Sequence, residues 1–244
     1  MSRRRMAEIE WLTSETRPMA MVEFAERTTN ARKLHLVSVA GLRLIDDLLA
    51  KDLQQYVDLL ESYAEQAASS NDLAMARLEL QEYRRPLIEG GYQGSWQSSA
   101  HYALIAALDP AIRPGNRRCL DWIVTARTSS FPPGVKQAAQ GKIREVLCGI
   151  VREILGNPFH PWKSVPEFLG SGWVQPDGRT VNFSEAVLGI AREIHALRAF
   201  DRLPILADAL EESGVTDAEI LDHCRNGTNH LRGCWALDVA RGVI

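Results

Sequence analysis

No stretch of the chain reaches the roughly 18 consecutive apolar residues that a bilayer-spanning helix needs. The nearest approach, Leu34 to Ala50, is interrupted by His35, Arg43, Asp46 and Asp47, which argues against a membrane span. An excess of one charge is also missing. Lys and Arg total 28 against 31 Asp and Glu, a net charge of −3, so there is no global attraction for nucleic acid or an anionic membrane. Cysteine is sparse: Cys119, Cys148, Cys224 and Cys234 form no C-x-x-C pair and no framework spacing. Free thiols are therefore expected, two or more of them buried as small apolar groups. The motifs of common chemistries are absent too. Ser95, Ser98, Ser99 and His101 are not accompanied by a G-x-S-x-G elbow, and GGYQGSW lacks the lysine of a phosphate-binding loop.

What the chain does have is helical periodicity. Pro18 suits a first helical turn and opens a short helix. From Ala31 to Leu49, Leu34, Val37, Leu44, Ile45 and Leu48 follow a 3.6-residue period while Leu36, Val39, Ala40 and Leu42 make the opposite side apolar. This predicts a central helix. An amphipathic helix from Lys51 to about Ala68 follows, then one capped by Ser70 or Asn71 that Pro86 should break. Further helices are expected over 95–108 and 115–125. The longest opens at Pro132-Pro133 and stops at Gly156-Asn157-Pro158, a glycine fitted to a left-handed cap followed by a proline.

Between Asn157 and Phe183 lie four prolines, two tryptophans and no helical period, with a β-turn at Gln175-Pro176-Asp177-Gly178. Helices return over 184–199 and 202–212. Thr216-Asp217-Ala218-Glu219 reads as a capping box for a short helix to about Cys224, and a last helix is expected from about Asn229 to Ala240. The fold class is all-α: a compact multi-helix array with an N-terminal helical region 1–155, a short irregular aromatic- and proline-rich loop 156–183, and a C-terminal helical subdomain 184–244, together one integrated domain.

Three stretches carry a resemblance: EWLTSETRPMAMVEFAERTTNARKLHLVSVAGLRLI, ILGNPFHP, and RAFDRLPILADALEESGVTDAEILDHCRNGTNHLRGCWALDVARG. In order and spacing they resemble a family of uncharacterised, mostly helical proteins expanded in planctomycete bacteria. The resemblance implies a shared helical fold and bacterial kinship, and it brings no reaction, ligand or catalytic residue with it. The chain departs from that family's pattern at Val215, where a cysteine is usual, and in the turn Asn226–Asn229, which is usually richer in proline.

The densest cluster of reactive side chains is DHCRNGTNHLRGCW, where two of the six histidines and two of the four cysteines fall within twelve residues. His230 and Cys234 are four apart and would share one helical face, with Asp238 a turn further on and His223 or Cys224 reaching across the tight turn. His223, His230, Cys234 and Asp238 are thus the candidate zinc ligands. The spacing matches no standard finger, however, and a packing hairpin explains the same residues without a cofactor, with the cysteines in the core and the histidines at helix ends. The sequence favours the hairpin.

His160 and His195 lack an evident nucleophile to act on. The acidic pairs Asp46-Asp47 and Glu211-Glu212 point apart on a helix, and Arg3-Arg4-Arg5, Arg84-Arg85 and Arg117-Arg118 have no nucleic-acid module around them. Phe159, Trp162 and Trp173 would form a partner-binding surface if exposed and would pin the loop to the core if buried; the latter is favoured. The N-terminal MSRRRMAEIEWL interrupts any apolar signal segment with Glu8 and Glu10, so a cytoplasmic location is expected. The function read from this pattern is a non-enzymatic interaction or adaptor protein with a protein partner. The alternative is a small metal-binding protein or metal-dependent enzyme built on the C-terminal His/Cys cluster.

Overall fold

A computed structural model describes residues 6–89, 96–109, 117–165 and 172–243. Among them are twelve α-helices and one small sheet, so the chain is all-α. No helix among these residues is long and apolar enough to cross a membrane. The chain divides into two compact units, 1–152 and 153–244, with the break inside the longest helix.

The first unit contains α1 (Glu8–Thr13), α2 (Pro18–Ala25), α3 (Ala31–Arg43), α4 (Lys51–Ala64), α5 (Ser70–Glu89), α6 (Trp96–Ala107), α7 (Arg117–Thr128) and most of α8 (Pro133–Leu155). As its two apolar sides predict, α3 is central. It packs against α4, α6 and α7, and Leu34, Leu36, Val37, Val39 and Leu42 are buried. Gly41 lets α7 come close: a Cβ there would lie 2.9 Å from Ile123 Cδ1 and 3.3 Å from Leu120 Cδ2. The Asn30 side chain caps α3 by accepting a bond from the Lys33 amide. After α3 the chain turns through a short 3₁₀ segment, where Arg43 meets Asp46, Asp58 and Glu61, and Asp47 meets Arg127. Both aspartates of the Asp46-Asp47 pair are thus ion-paired.

Two expectations shift in this unit. Pro86 does not end α5, which runs on to Glu89. A proline removes one amide donor and crowds one carbonyl, and a helix that is otherwise well capped can absorb that loss near its end. The cap itself is Ser69, one residue before the expected pair: its hydroxyl faces the Asp72 amide and its own amide donates to Asp72 Oδ2 at 2.7 Å.

The second unit begins at Glu153, in the last turn of α8. Gly156 follows with φ of +68°, the left-handed stop that its Gly-Asn-Pro sequence predicts. The irregular loop then yields three two-residue strands, β1 (Lys163–Ser164), β2 (Trp173–Val174) and β3 (Thr180–Val181), paired antiparallel in that order. The β2–β3 connection is the expected turn, closed by the Gly178 amide on the Gln175 carbonyl at 2.9 Å. Four helices complete the unit: α9 (Glu185–Leu197), α10 (Leu203–Glu212), α11 (Ala218–Asn226) and α12 (Trp235–Arg241). Their apolar faces meet in one core that includes Val187, Ile194, Leu206, Leu210, Ile220 and Leu237.

Gly41→Ala sets about 1 kcal/mol of gained helix propensity against overpacking that typically costs about 1–3 kcal/mol, so a small net loss is expected; a raised urea midpoint would show that the ends of Ile123 and Leu120 yield freely. His35 supplies a second prediction. Buried in α3 against the edge of Tyr63, it has its pKa pushed down by burial to about 4. The unfolded chain therefore takes up a proton near pH 6.5 that the folded chain refuses until about pH 4. Stability should fall as pH drops through that window, by up to about 3 kcal/mol. Unfolding curves for the protein and for His35→Gln should diverge over this range, with the variant showing the flatter profile.

Candidate metal centre

The end of α8 and the segment after α11 supply the site. Glu153 projects from the last turn of α8, and His223 lies in the last turn of α11. Gly227 caps α11, with its amide bonded to the His223 carbonyl at 3.0 Å. The chain from Gly227 to Cys234 is not helical, and α12 starts at Trp235, six residues later than the sequence predicts. His230 and Cys234 are nevertheless neighbours. A turn closed by the Cys234 amide on the Leu231 carbonyl at 2.9 Å, with Gly233 at φ +89°, folds them together in place of a shared helical face.

Four side chains converge there. One donor atom from each of Glu153, His223, His230 and Cys234 lies within 4.8 Å of all the others. His223 Nε2 is 3.2 Å from Cys234 Sγ and 3.3 Å from Glu153 Oε2. His230 Nδ1 is 3.2 Å from Glu153 Oε1 and 3.9 Å from Cys234 Sγ. The Leu231 amide donates to Oε1 at 3.3 Å and fixes the carboxylate from outside. His230 Nε2, by contrast, is buried with no hydrogen-bond partner, so only Nδ1 of that ring engages the cluster.

The surroundings are mostly dry. Side-chain exposure is 18% for His223, 12% for Glu153 and 6% for His230, and Cys234 is fully buried. Burial is the main influence on His223 and holds its pKa below the ordinary imidazole value; Glu153 opposes the shift and His230 adds to it. At neutral pH His223 is therefore uncharged, with a lone pair to offer. Neighbouring Cys224 is buried in the core, where burial drives its thiol up to about 12, and it behaves as the small apolar group the hairpin reading assigns to it.

Of the sequence candidates, the fold unites His223, His230 and Cys234. Asp238 goes elsewhere: it is buried in α12 with Oδ1 3.0 Å from Arg241 Nη1, because the late start of α12 takes it off the face of His230. Its place is taken by Glu153, seventy residues upstream of His223, which no local spacing could nominate. Val215 is a core residue.

The aromatic loop takes the pinned arrangement. Trp162 is buried, and its Nε1 donates to Asp217 Oδ2 at 2.8 Å, which removes it from an exposed binding surface. Trp173 is half-buried and stacks on Phe183 with centroids 6.3 Å apart, and Phe159 is half-buried. Phe168 lies outside the described residues. Gln175 adds a second pin, since its buried Oε1 accepts the Thr216 amide at 2.9 Å and the Asp217 amide at 3.2 Å. Thr216 stays outside α11. Asp217 is the cap instead, accepting from the Glu219 amide at 3.0 Å.

Trp162→Phe keeps the ring burial but deletes the indole bond to the capping aspartate. A loss of about 1–2 kcal/mol is expected in urea unfolding, with the core otherwise intact. Unchanged stability would mean that Asp217 exchanges the indole for water at no cost.

Compared with protein-family models, with curated proteins and with solved structures, the chain finds no match. What the centre does is therefore argued from its own geometry.

Proposed function

We propose that the protein binds a transition-metal ion of the zinc class through Glu153, His223, His230 and Cys234, and that the ion's role is to hold the second unit together. The observation that carries this reading is the mutual distance of the four donor atoms, all within 4.8 Å. A tetrahedral ion with bonds of about 2.0 Å to nitrogen or oxygen and about 2.3 Å to sulfur has donor-to-donor edges of about 3.3–3.8 Å. The His223–Cys234 separation of 3.2 Å and the His230–Cys234 separation of 3.9 Å lie close to that range, and each imidazole has a different oxygen of Glu153 within 3.3 Å.

The donor chemistry supports the same class. Two imidazoles and a thiol suit a borderline or soft ion, whereas magnesium and calcium require shells built almost entirely of oxygen. Four side chains fill a tetrahedral shell, which is the pattern of a structural rather than a catalytic zinc. Binding would draw a proton from Cys234, and the uncharged His223 would coordinate directly. The ion would then link the end of α8 to both sides of the hairpin, where three of the helices have ten residues or fewer and depend on packing for their stability.

Protein prepared without an affinity tag, stripped with a chelator and titrated with zinc should bind one equivalent. At a free ion concentration about 1,000 times the dissociation constant, folding should gain about 4 kcal/mol. His223→Gln should weaken binding more than about 100-fold, because even loss of a supporting outer residue costs 10–100-fold. A stripped protein that neither takes up zinc nor gains thermal stability from it would refute the assignment.

A further inference from the structure

We infer that Gly227 and Trp235 are the positioning residues that hold the two imidazoles to a four-coordinate geometry, making the centre selective for a tetrahedral ion over one that needs six ligands. This rests on the metal-centre reading and adds what shapes it. Neither residue offers a donor to the ion. Each packs against one of the rings that do.

Gly227 governs His230. Its φ of −66° and ψ of 140° suit any residue, so backbone freedom is not what a glycine supplies there. Space is the reason. A Cβ on residue 227 would lie 2.6 Å from the His223 carbonyl oxygen and would run into Cε1 and Nε2 of His230. The Cε1–Nε2 edge of the His230 ring therefore packs against the bare Cα, with Nδ1 toward Glu153 and Cys234 and Nε2 buried without a partner. Any side chain at 227 must push the ring or the end of α11 away, and both carry ligands.

Trp235 governs His223. Its indole sits 5.2 Å from the His223 ring, centroid to centroid, at 48°. On its other side it lies against Gly156, where a Cβ would come within 3.0–3.2 Å of the indole and its methylene. The indole thus fills the space between the residue three places after Glu153 and the most exposed of the two imidazoles. It follows Cys234 directly, so one wedge fixes three of the four ligand-bearing segments. With both walls in place the four ligand residues stay largely closed to solvent, which disfavours the added waters of a six-coordinate ion.

The test uses the full chain with Zn²⁺, Co²⁺ and Mg²⁺ as probes. Chelator competition gives the zinc affinity, the visible absorption of bound Co²⁺ reports coordination number, and far-UV circular dichroism reports the fold. The protein should bind Zn²⁺ and Co²⁺, show the intense visible bands of four-coordinate cobalt, and be indifferent to millimolar Mg²⁺. Gly227→Ala should keep the helical signal, lose zinc affinity by roughly 10–100-fold and weaken the cobalt bands as the geometry opens. Trp235→Phe should preserve the spectrum and Trp235→Leu should lose it, and this pair carries the test if Gly227→Ala does not fold. Variants with the parent's affinity and cobalt spectrum would overturn the inference and leave the metal centre standing, as would a weak, six-coordinate spectrum in the parent. Failure of the parent to bind either Zn²⁺ or Co²⁺ would instead remove the metal centre itself.

Discussion

The second unit is organised around a carboxylate with almost no water. Glu153 is 12% exposed and sets its two oxygens against two imidazoles, with a buried thiol on the far side. Burying a carboxylate costs several kcal/mol unless it is paired and hydrogen-bonded. Here one backbone amide and two histidines meet that demand, and doing so brings the end of α8 up to the hairpin between α11 and α12. An ion at this place would convert a costly polar cluster into the strongest link in the unit.

Around that cluster the packing is conventional, and each device has a local cause. A left-handed glycine stops α8 where Trp235 approaches, and the bare Cα of Gly227 leaves space for the His230 ring. Gln175 and Trp162 satisfy the polar groups ahead of α11 from a loop that is otherwise irregular. The loop is therefore a structural element of the second unit. Its aromatic residues are spent on the core and on a helix cap, which leaves the unit's chemistry to the hairpin.

Much of this was legible in the sequence. Helical period and stop signals located α8, α9 and α10 to within a few residues, because glycine, proline or a capping serine marks their ends, whereas α3 and α4, which have no such stop, end six and about four residues earlier than their apolar period. The misplacements share one physical origin, a tertiary contact outbidding a local preference. Asp217 takes the cap from Thr216 with its carboxylate on the Glu219 amide while Gln175 holds both their amides, and 229–234 stays unwound where the Leu231 amide goes to Glu153. At the site, His223, His230 and Cys234 stood out by density alone, whereas Glu153 looked like one more charged residue on a long helix. Only the approach of Glu153 itself to the hairpin distinguishes it, and no spacing rule spans seventy residues.

An ion held by these four residues would complete the last ninety or so residues of a helical protein. The most direct measurement is zinc-edge X-ray absorption on the zinc-loaded protein. The account predicts one sulfur at about 2.3 Å and three nitrogen or oxygen neighbours at about 2.0–2.1 Å. A shell without sulfur, or one of five or six light atoms, would contradict it.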